Sequence, residues 1–250
     1  MFAEIVDVVK KVADSVKENG EQVDPKTATE KMDVSESEKI QHSENSIADS
    51  FTWDNPFGEN LAPSDEVKYQ MIADEINNMD EFRFENWSDL SEEEKVATLQ
   101  ELENISAEIS HRPACKIAVK DLGPVEEYNG NFSGYFGQHE NAQITINSEL
   151  LNFGSPEALK KVVETILHEG RHEYQTHNVA LLLNGESPTE RSLELVKAWH
   201  INMNELGYKD GECPYWDVLQ IGHKEYLAQP VEVDARVFAE NVLDKTDYFA

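Results

Sequence analysis

The pattern of hydrophobic and polar positions predicts a body built mainly of amphipathic helices. Ser91-Glu92-Glu93-Glu94 is typical of a capping box, and apolar residues then recur every three or four positions from Val96 to Ile109. Ser155-Pro156 begins a second long helix, which runs to about Leu182. Further helices are predicted at 64–78, at 187–199 from the capping-box sequence Ser187-Pro188-Thr189-Glu190, and at 231–243 after Pro230.

Between these helices the pattern changes to the alternation expected of β-strands. Residues 116–120 form one predicted strand. Residues 133–137 and 143–147 form a predicted hairpin around the polar turn His139-Glu140-Asn141. Helices that precede and follow a small sheet along the chain predict an α+β fold, in which the sheet packs on the helices.

The first 48 residues differ from this body. Residues 1–18 carry Ile5, Val9, Val12 and Val16 at helical spacing, which predicts an amphipathic helix. Residues 19–48 are polar, acidic and nearly free of large apolar side chains, so we expect a flexible linker. The folded domain is therefore predicted at 50–250. The N-terminal helix could dock on this domain, bind a partner protein, or be recognised by export machinery.

Composition narrows the class of protein. The chain has 50 Asp and Glu residues against 21 Lys and Arg residues, a formal net charge of −29, which argues against nucleic-acid binding. Cys115 and Cys213 lack the spacing of a disulfide framework or a zinc finger. There is no ordinary signal peptide and no apolar run that could span a membrane. We expect a cytoplasmic protein, or one exported without an ordinary signal peptide.

The candidate chemistry lies in the second long helix, at His168-Glu169-Gly170-Arg171-His172. Residues four apart lie on one face of a helix, so His168 and His172 can bind one metal ion together. Glu169 is rotated by about 100° and would lie beside the metal, where a general base belongs. This HExxH pattern is typical of zinc metallopeptidases, in which the glutamate takes a proton from zinc-bound water.

A catalytic zinc ion needs a third protein ligand. The extended HExxHxxGxxH pattern is excluded because Gln175 and Asn178 stand at its glycine and histidine positions. Glu232 and Asp234 lie in the first turn of the last helix, and only one can bind because residues two apart face different ways. Asp234 could also pair with Arg171.

An oxyanion donor is also required, and it would have to lie close to the metal. Tyr226 and His223 come just before the last helix and are the candidates for this role. The alternative is that they are an aromatic core residue and an ordinary loop histidine.

Four segments of the chain resemble the bacterial zincin-like metallopeptidase domains that polymorphic toxins and related secreted proteins carry. They are TILHEGRHEYQ (165–175), EYLAQPVEVDARVFAENV (225–242), NWSDLSEEEKVATLQELENISAEISHRP (86–113) and ITINSELL (144–151). The resemblance implies a compact zincin fold with one Zn²⁺. It implies His168, His172 and Glu232 as metal ligands and Glu169 as catalytic base.

These observations predict a zinc-dependent endopeptidase that acts on a protein substrate, with a bacterial toxin or effector as the context that the resemblance suggests. Two other classes of function stay open. One is an interaction protein that zinc stabilises but that has no turnover. The other is an acidic inhibitor in which HEGRH is incidental.

Overall fold

A computed structural model of the protein describes residues 61–128, 131–205 and 226–249. The predicted N-terminal helix (1–18), the linker (19–48) and His223 lie outside these ranges. Within them the chain forms helices, then a small mixed sheet, then helices again, which confirms the α+β class. None of the helices in these ranges is long and apolar enough to cross a bilayer.

The helices and strands are numbered in chain order. The α-helices are α1 (Asp65–Asn78), α2 (Phe84–Trp87), α3 (Glu92–Ile109), α4 (Ser148–Leu151), α5 (Pro156–Leu183), α6 (Leu193–His200) and α7 (Pro230–Leu243). The strands are β1 (Lys116–Lys120), β2 (Glu126–Tyr128), β3 (Asn131–Ser133), β4 (Gly137–Glu140) and β5 (Gln143–Asn147). A 3-10 turn, Asp80–Phe82, precedes α2, and a π-helical turn, Ile201–Glu205, follows α6.

Two of the predicted helix starts are confirmed by their capping bonds. The Ser91 hydroxyl accepts from the Glu94 backbone N–H, and the Glu94 carboxylate accepts from the Ser91 N–H, so α3 begins with a capping box. The Ser155 hydroxyl accepts from the Ala158 N–H at the start of α5, and Pro156 occupies the first turn of that helix. In both cases the residues that form the capping bonds lie within four positions of each other in the sequence.

Helix α5 lies at the centre of the body. Its first half buries apolar residues against the sheet and α3 in the main core, which includes Val162, Val163 and Ile166. Its second half contributes Tyr174 and Leu182 to a smaller cluster with α6 and α7. Each half of the helix is therefore covered by a different layer of the body.

The three-stranded sheet has the order β1-β5-β4. Strand β1 runs parallel to β5, whereas β4 pairs antiparallel to β5 and forms one edge. Strand β4 also runs close to α5: a Cβ atom on Gly137 would lie 2.6 Å from the Thr165 methyl group, so only glycine fits there. Strands β2 and β3 form a separate hairpin.

The predicted hairpin was wrong in its first strand. Strand β4 covers 137–140 rather than 133–137, so His139 and Glu140 lie in the strand instead of the turn. The turn is only Asn141-Ala142, and both residues have positive φ, 51° and 56°. Such a two-residue turn matches the twist of paired strands, and the ladder therefore continues up to it.

The predicted helix start at Ser187–Glu190 was also wrong. Helix α6 begins at Leu193, and the Ser192 hydroxyl accepts from the Leu195 N–H. Glu190 is buried and bonded to α5 instead: its N–H donates to Asn178 Oδ1 (2.8 Å), and its carboxylate accepts from the Tyr174 hydroxyl (3.1 Å). These tertiary bonds use the groups that a capping box would need.

Candidate metal centre

His168 and His172 of α5 meet Glu232 of α7. The two imidazole Nε2 atoms are 3.1 Å apart. Glu232 Oε2 lies 3.4 Å from His168 Nε2, and Oε1 lies 3.3 Å from His172 Nε2. Among the residues with described positions, these three form one of two groups whose side chains could hold a metal ion together.

The spacing of these donor atoms matches that of a tetrahedral zinc site. Zinc–nitrogen and zinc–oxygen bonds of about 2.0–2.1 Å that meet at the tetrahedral angle place neighbouring donors roughly 3.3–3.4 Å apart. The observed separations, 3.1, 3.3 and 3.4 Å, lie within about 0.3 Å of this value, and each histidine faces a different oxygen of the Glu232 carboxylate. Two imidazoles and one carboxylate also suit zinc in chemical type. The residues therefore fit a Zn²⁺ ion with an open fourth position.

The electrostatics of the cluster favour a cation. Burial lowers the pKa of His172, but its hydrogen bond and ion pair with Glu232 outweigh this effect and raise the pKa to about 9. Burial raises the pKa of Glu232, but its bonds to both histidines hold the carboxyl pKa well below its usual range. The Glu232 side chain is only 1% exposed. The site is thus a buried carboxylate that attracts positive charge, whether protons on imidazole or a metal ion.

Asp234 faces away from the histidines, as residues two apart on a helix must. It accepts two hydrogen bonds from Arg171, at 2.9 Å from Nε and 3.0 Å from Nη2, so the suggested pairing of these residues is confirmed. Arg171 also donates to both carboxylate oxygens of Asp65 on α1. Asp234 therefore binds a buried guanidinium behind the candidate centre, and Glu232 is the carboxylate that reaches the imidazoles.

Glu169 lies on the face of α5 that is turned toward β4. One turn before it, Thr165 packs against Gly137, and one turn after it, the Glu173 carboxylate lies 2.7 Å from His139 Nε2. Residues four apart share a helix face, so Glu169 stands between these two contacts with β4. It is half-buried and close enough to His172 to raise the pKa of that imidazole.

A second group of possible metal ligands comprises Cys115, His139 and Glu173. The His139–Glu173 separation of 2.7 Å is a hydrogen-bond distance, shorter than donors around one zinc ion adopt. Burial and the nearby Glu103 carboxylate raise the pKa of the Cys115 thiol to about 12, so sulfur keeps its proton. We assign this group as a hydrogen-bonded His–Glu pair beside a buried thiol.

Of the two predicted oxyanion donors, the structure describes only Tyr226. His223 lies outside the described residues. Tyr226 is half-buried, and its backbone carbonyl accepts from the Gln229 N–H at 3.1 Å, just before α7 begins. The role of either residue as a donor stays a prediction.

Two residues near the centre were not identified correctly from sequence. His139 was predicted in a turn but lies on β4, against α5. Gln175 was used only to exclude the extended motif, but it is fully buried and hydrogen-bonded to His172 (2.9 Å). The signal for Gln175 was its i+3 spacing from His172, which places it beside that imidazole.

No family model, curated protein or solved structure matches the chain. The candidate centre must therefore be interpreted from its own residues.

Proposed function

We propose that this protein is a zinc-dependent endopeptidase that hydrolyses peptide bonds in a protein substrate. The observation that carries the proposal is that the Nε2 atoms of His168 and His172 lie 3.1 Å apart, each with one oxygen of the Glu232 carboxylate 3.3–3.4 Å away, close to the spacing of ligands around a tetrahedral zinc ion. The HExxH helix supplies two of them, and the open fourth position is the feature that separates catalytic from structural zinc sites. These points also support the resemblance to zincin-like metallopeptidases.

Different residues of the chain would have different roles in hydrolysis. His168, His172 and Glu232 would hold the ion. A bound zinc ion makes water more acidic and polarises a carbonyl group. Glu169 would accept the proton of the attacking water and pass it to the leaving amine nitrogen, so that one carboxylate serves as base and then as acid. Within the described ranges the Glu169 carboxylate makes no hydrogen bond or ion pair, so it is available for this transfer.

Strand β4 offers a means of orienting the substrate. It is an edge strand of the three-stranded sheet, and no described strand pairs with its outer side. An extended peptide could add to this edge through backbone hydrogen bonds. Because β4 runs along the α5 face that carries Glu169, such a peptide would lie close to the base and the metal ligands.

Metal analysis tests the site. We expect the purified protein to bind one equivalent of zinc at this centre, and His168→Ala to lose it. The Asn178→Leu variant is a matched control, since Asn178 lies on the same helix but bonds to Tyr174, Thr189 and Glu190 rather than to the centre. If the wild type binds no zinc, or if His168→Ala keeps full zinc occupancy, the proposal is wrong.

Glu169→Gln tests the catalytic role separately. The variant should retain zinc, since Glu169 is not a ligand, but lose cleavage. Comparing the proteomes of cells that express wild type or Glu169→Gln would show cleaved substrates only with wild type. Equal cleavage by both proteins would exclude Glu169 as the base, and cleavage by neither would favour an interaction protein.

A further inference from the structure

Behind the candidate centre, His172 is hydrogen-bonded through its second ring nitrogen. The Nδ1 atom lies 2.9 Å from Oε1 of Gln175, one helical turn further along α5. The Gln175 side chain is fully buried. Outer partners of this kind orient a metal-binding imidazole and set which nitrogen carries the proton.

The surroundings of Gln175 determine which way its amide group points. Its Nε2 atom lies 2.9 Å from the Val231 backbone carbonyl oxygen and 2.7 Å from Asp234 Oδ2. Both of these groups only accept hydrogen bonds, so the amide NH₂ must face them. A flipped amide would set its oxygen against a carbonyl and a carboxylate. The amide oxygen is therefore turned toward His172.

This orientation determines the tautomer of His172. A glutamine oxygen can only accept, so the Nδ1 atom of His172 must carry the proton and donate. The lone pair of the neutral ring is then on Nε2, the atom that lies 3.1 Å from His168 Nε2 and 3.3 Å from Glu232.

We propose that Gln175 is a positioning residue that presents the Nε2 lone pair of His172 to the metal ion. The inference rests on the metal site of the proposed function, but not on peptidase activity.

Asp234 and Arg171 hold Gln175 in place. The Asp234 carboxylate accepts from the Gln175 amide and from two nitrogens of Arg171, and Arg171 is itself paired with Asp65 on α1. The Arg171 side chain is 1% exposed. A buried ion pair between two helices thus prevents the amide from rotating. The first turn of α7 supplies both a ligand, Glu232, and the anchor for the outer partner of another ligand.

The test compares zinc affinities by competition with a chromophoric chelator. Gln175→Met keeps the length of the side chain but removes the acceptor, and we expect its zinc affinity to fall by about 10- to 100-fold, the usual effect of removing such a partner. Asn178→Leu removes another fully buried amide from the same helix and should bind zinc like wild type.

A histidine NMR spectrum of the zinc-loaded protein gives a second readout. The Nδ1–H proton of His172 should be protected from solvent exchange in wild type and exchange faster in Gln175→Met. Unchanged affinity and protection in Gln175→Met would overturn the inference. Equal losses of affinity in Gln175→Met and Asn178→Leu would also overturn it, because both would then reflect general weakening of the fold.

The outcomes also separate this inference from the proposed function. If wild type binds no zinc, both fail. If it binds zinc and Gln175→Met binds equally well, only the positioning role fails. If Gln175→Met binds zinc weakly and wild type cleaves no protein, the positioning role stands and the peptidase activity fails.

Discussion

Gly170, the middle residue of HEGRH, is expected to resist substitution because of its packing, whatever the chemistry of the candidate centre. A Cβ atom at this position would lie 2.7 Å from Arg112 Nη2 and 3.0 Å from Glu103 Oε2. These two residues form a buried ion pair, with each side chain 1% exposed. Glycine inside a helix is otherwise less favourable than alanine by about 1 kcal/mol.

The free-energy cost of Gly170→Ala depends on how firmly the Arg112–Glu103 ion pair is held in place. An ordinary contact between a carbon atom and this nitrogen begins at about 3.5 Å, so the guanidinium would have to retreat by roughly 0.8 Å from its 2.7 Å position. Arg112 also donates to the Pro113 carbonyl, and Glu103 also accepts from the Cys115 N–H. Overpacking at such a site costs about 1–3 kcal/mol, which offsets or exceeds the gain in helix propensity.

We therefore expect Gly170→Ala to lower the free energy of unfolding by up to about 2 kcal/mol, the overpacking cost less the helix-propensity gain. The measurement is urea unfolding followed by circular dichroism, in excess chelator so that metal binding does not add to stability. A double-mutant cycle supplies the control, because Arg112→Met removes the nitrogen that Cβ would meet. In that background Gly170→Ala should be neutral or stabilising by up to about 1 kcal/mol. The reasoning is refuted if Gly170→Ala stabilises the wild type or has the same effect in both backgrounds.

Three further predictions concern other parts of the described structure. Ala142→Gly should stabilise the protein by about 0.5–1 kcal/mol in urea unfolding, because Ala142 has a φ of 56° in the β4–β5 turn; a lower midpoint would contradict this. Burial raises the pKa of Asp65, but Arg171 and Lys68 outweigh it and lower the pKa to about 2. The ionised Asp65 carboxylate therefore contributes fully to the free energy of unfolding above its unfolded pKa of ~3.9, and this contribution is lost as the pH falls toward 2. Asp65→Asn should remove roughly 2 kcal/mol at pH 7 and flatten the pH dependence of unfolding between about pH 4 and pH 2, and an unchanged acid profile would exclude this role. In a Cys213→Ser variant, Cys115 should react with Ellman's reagent at least ~100-fold more slowly when folded than in urea, because burial raises its thiol pKa to about 12; equal rates would disprove its burial.

Features that depend on neighbouring residues were predicted well from sequence. The capping box at Ser91, the start of α5 at Pro156 and the span of α7 are all confirmed. Each depends on hydrogen bonds or side-chain periodicity within one helix, and tertiary contacts do not compete for the same groups. The helix start predicted from the capping sequence at Ser187–Glu190 was wrong because Asn178 and Tyr174 of α5 are hydrogen-bonded to Glu190.

For the candidate centre, the sequence by itself determined that His168 and His172 share a face of one helix, with Glu169 beside it. That follows from the 3.6-residue period of the α-helix, whatever the rest of the chain does.

Only the tertiary structure decided between Glu232 and Asp234. The packing of α7 on α5 turns one carboxylate toward two imidazoles and the other toward Arg171 and Gln175. His172 and Glu232 are 60 positions apart along the chain, and no local rule sets how one helix is rotated against the other. That rotation follows from the burial of their apolar faces, and it makes Gln175 a partner of His172.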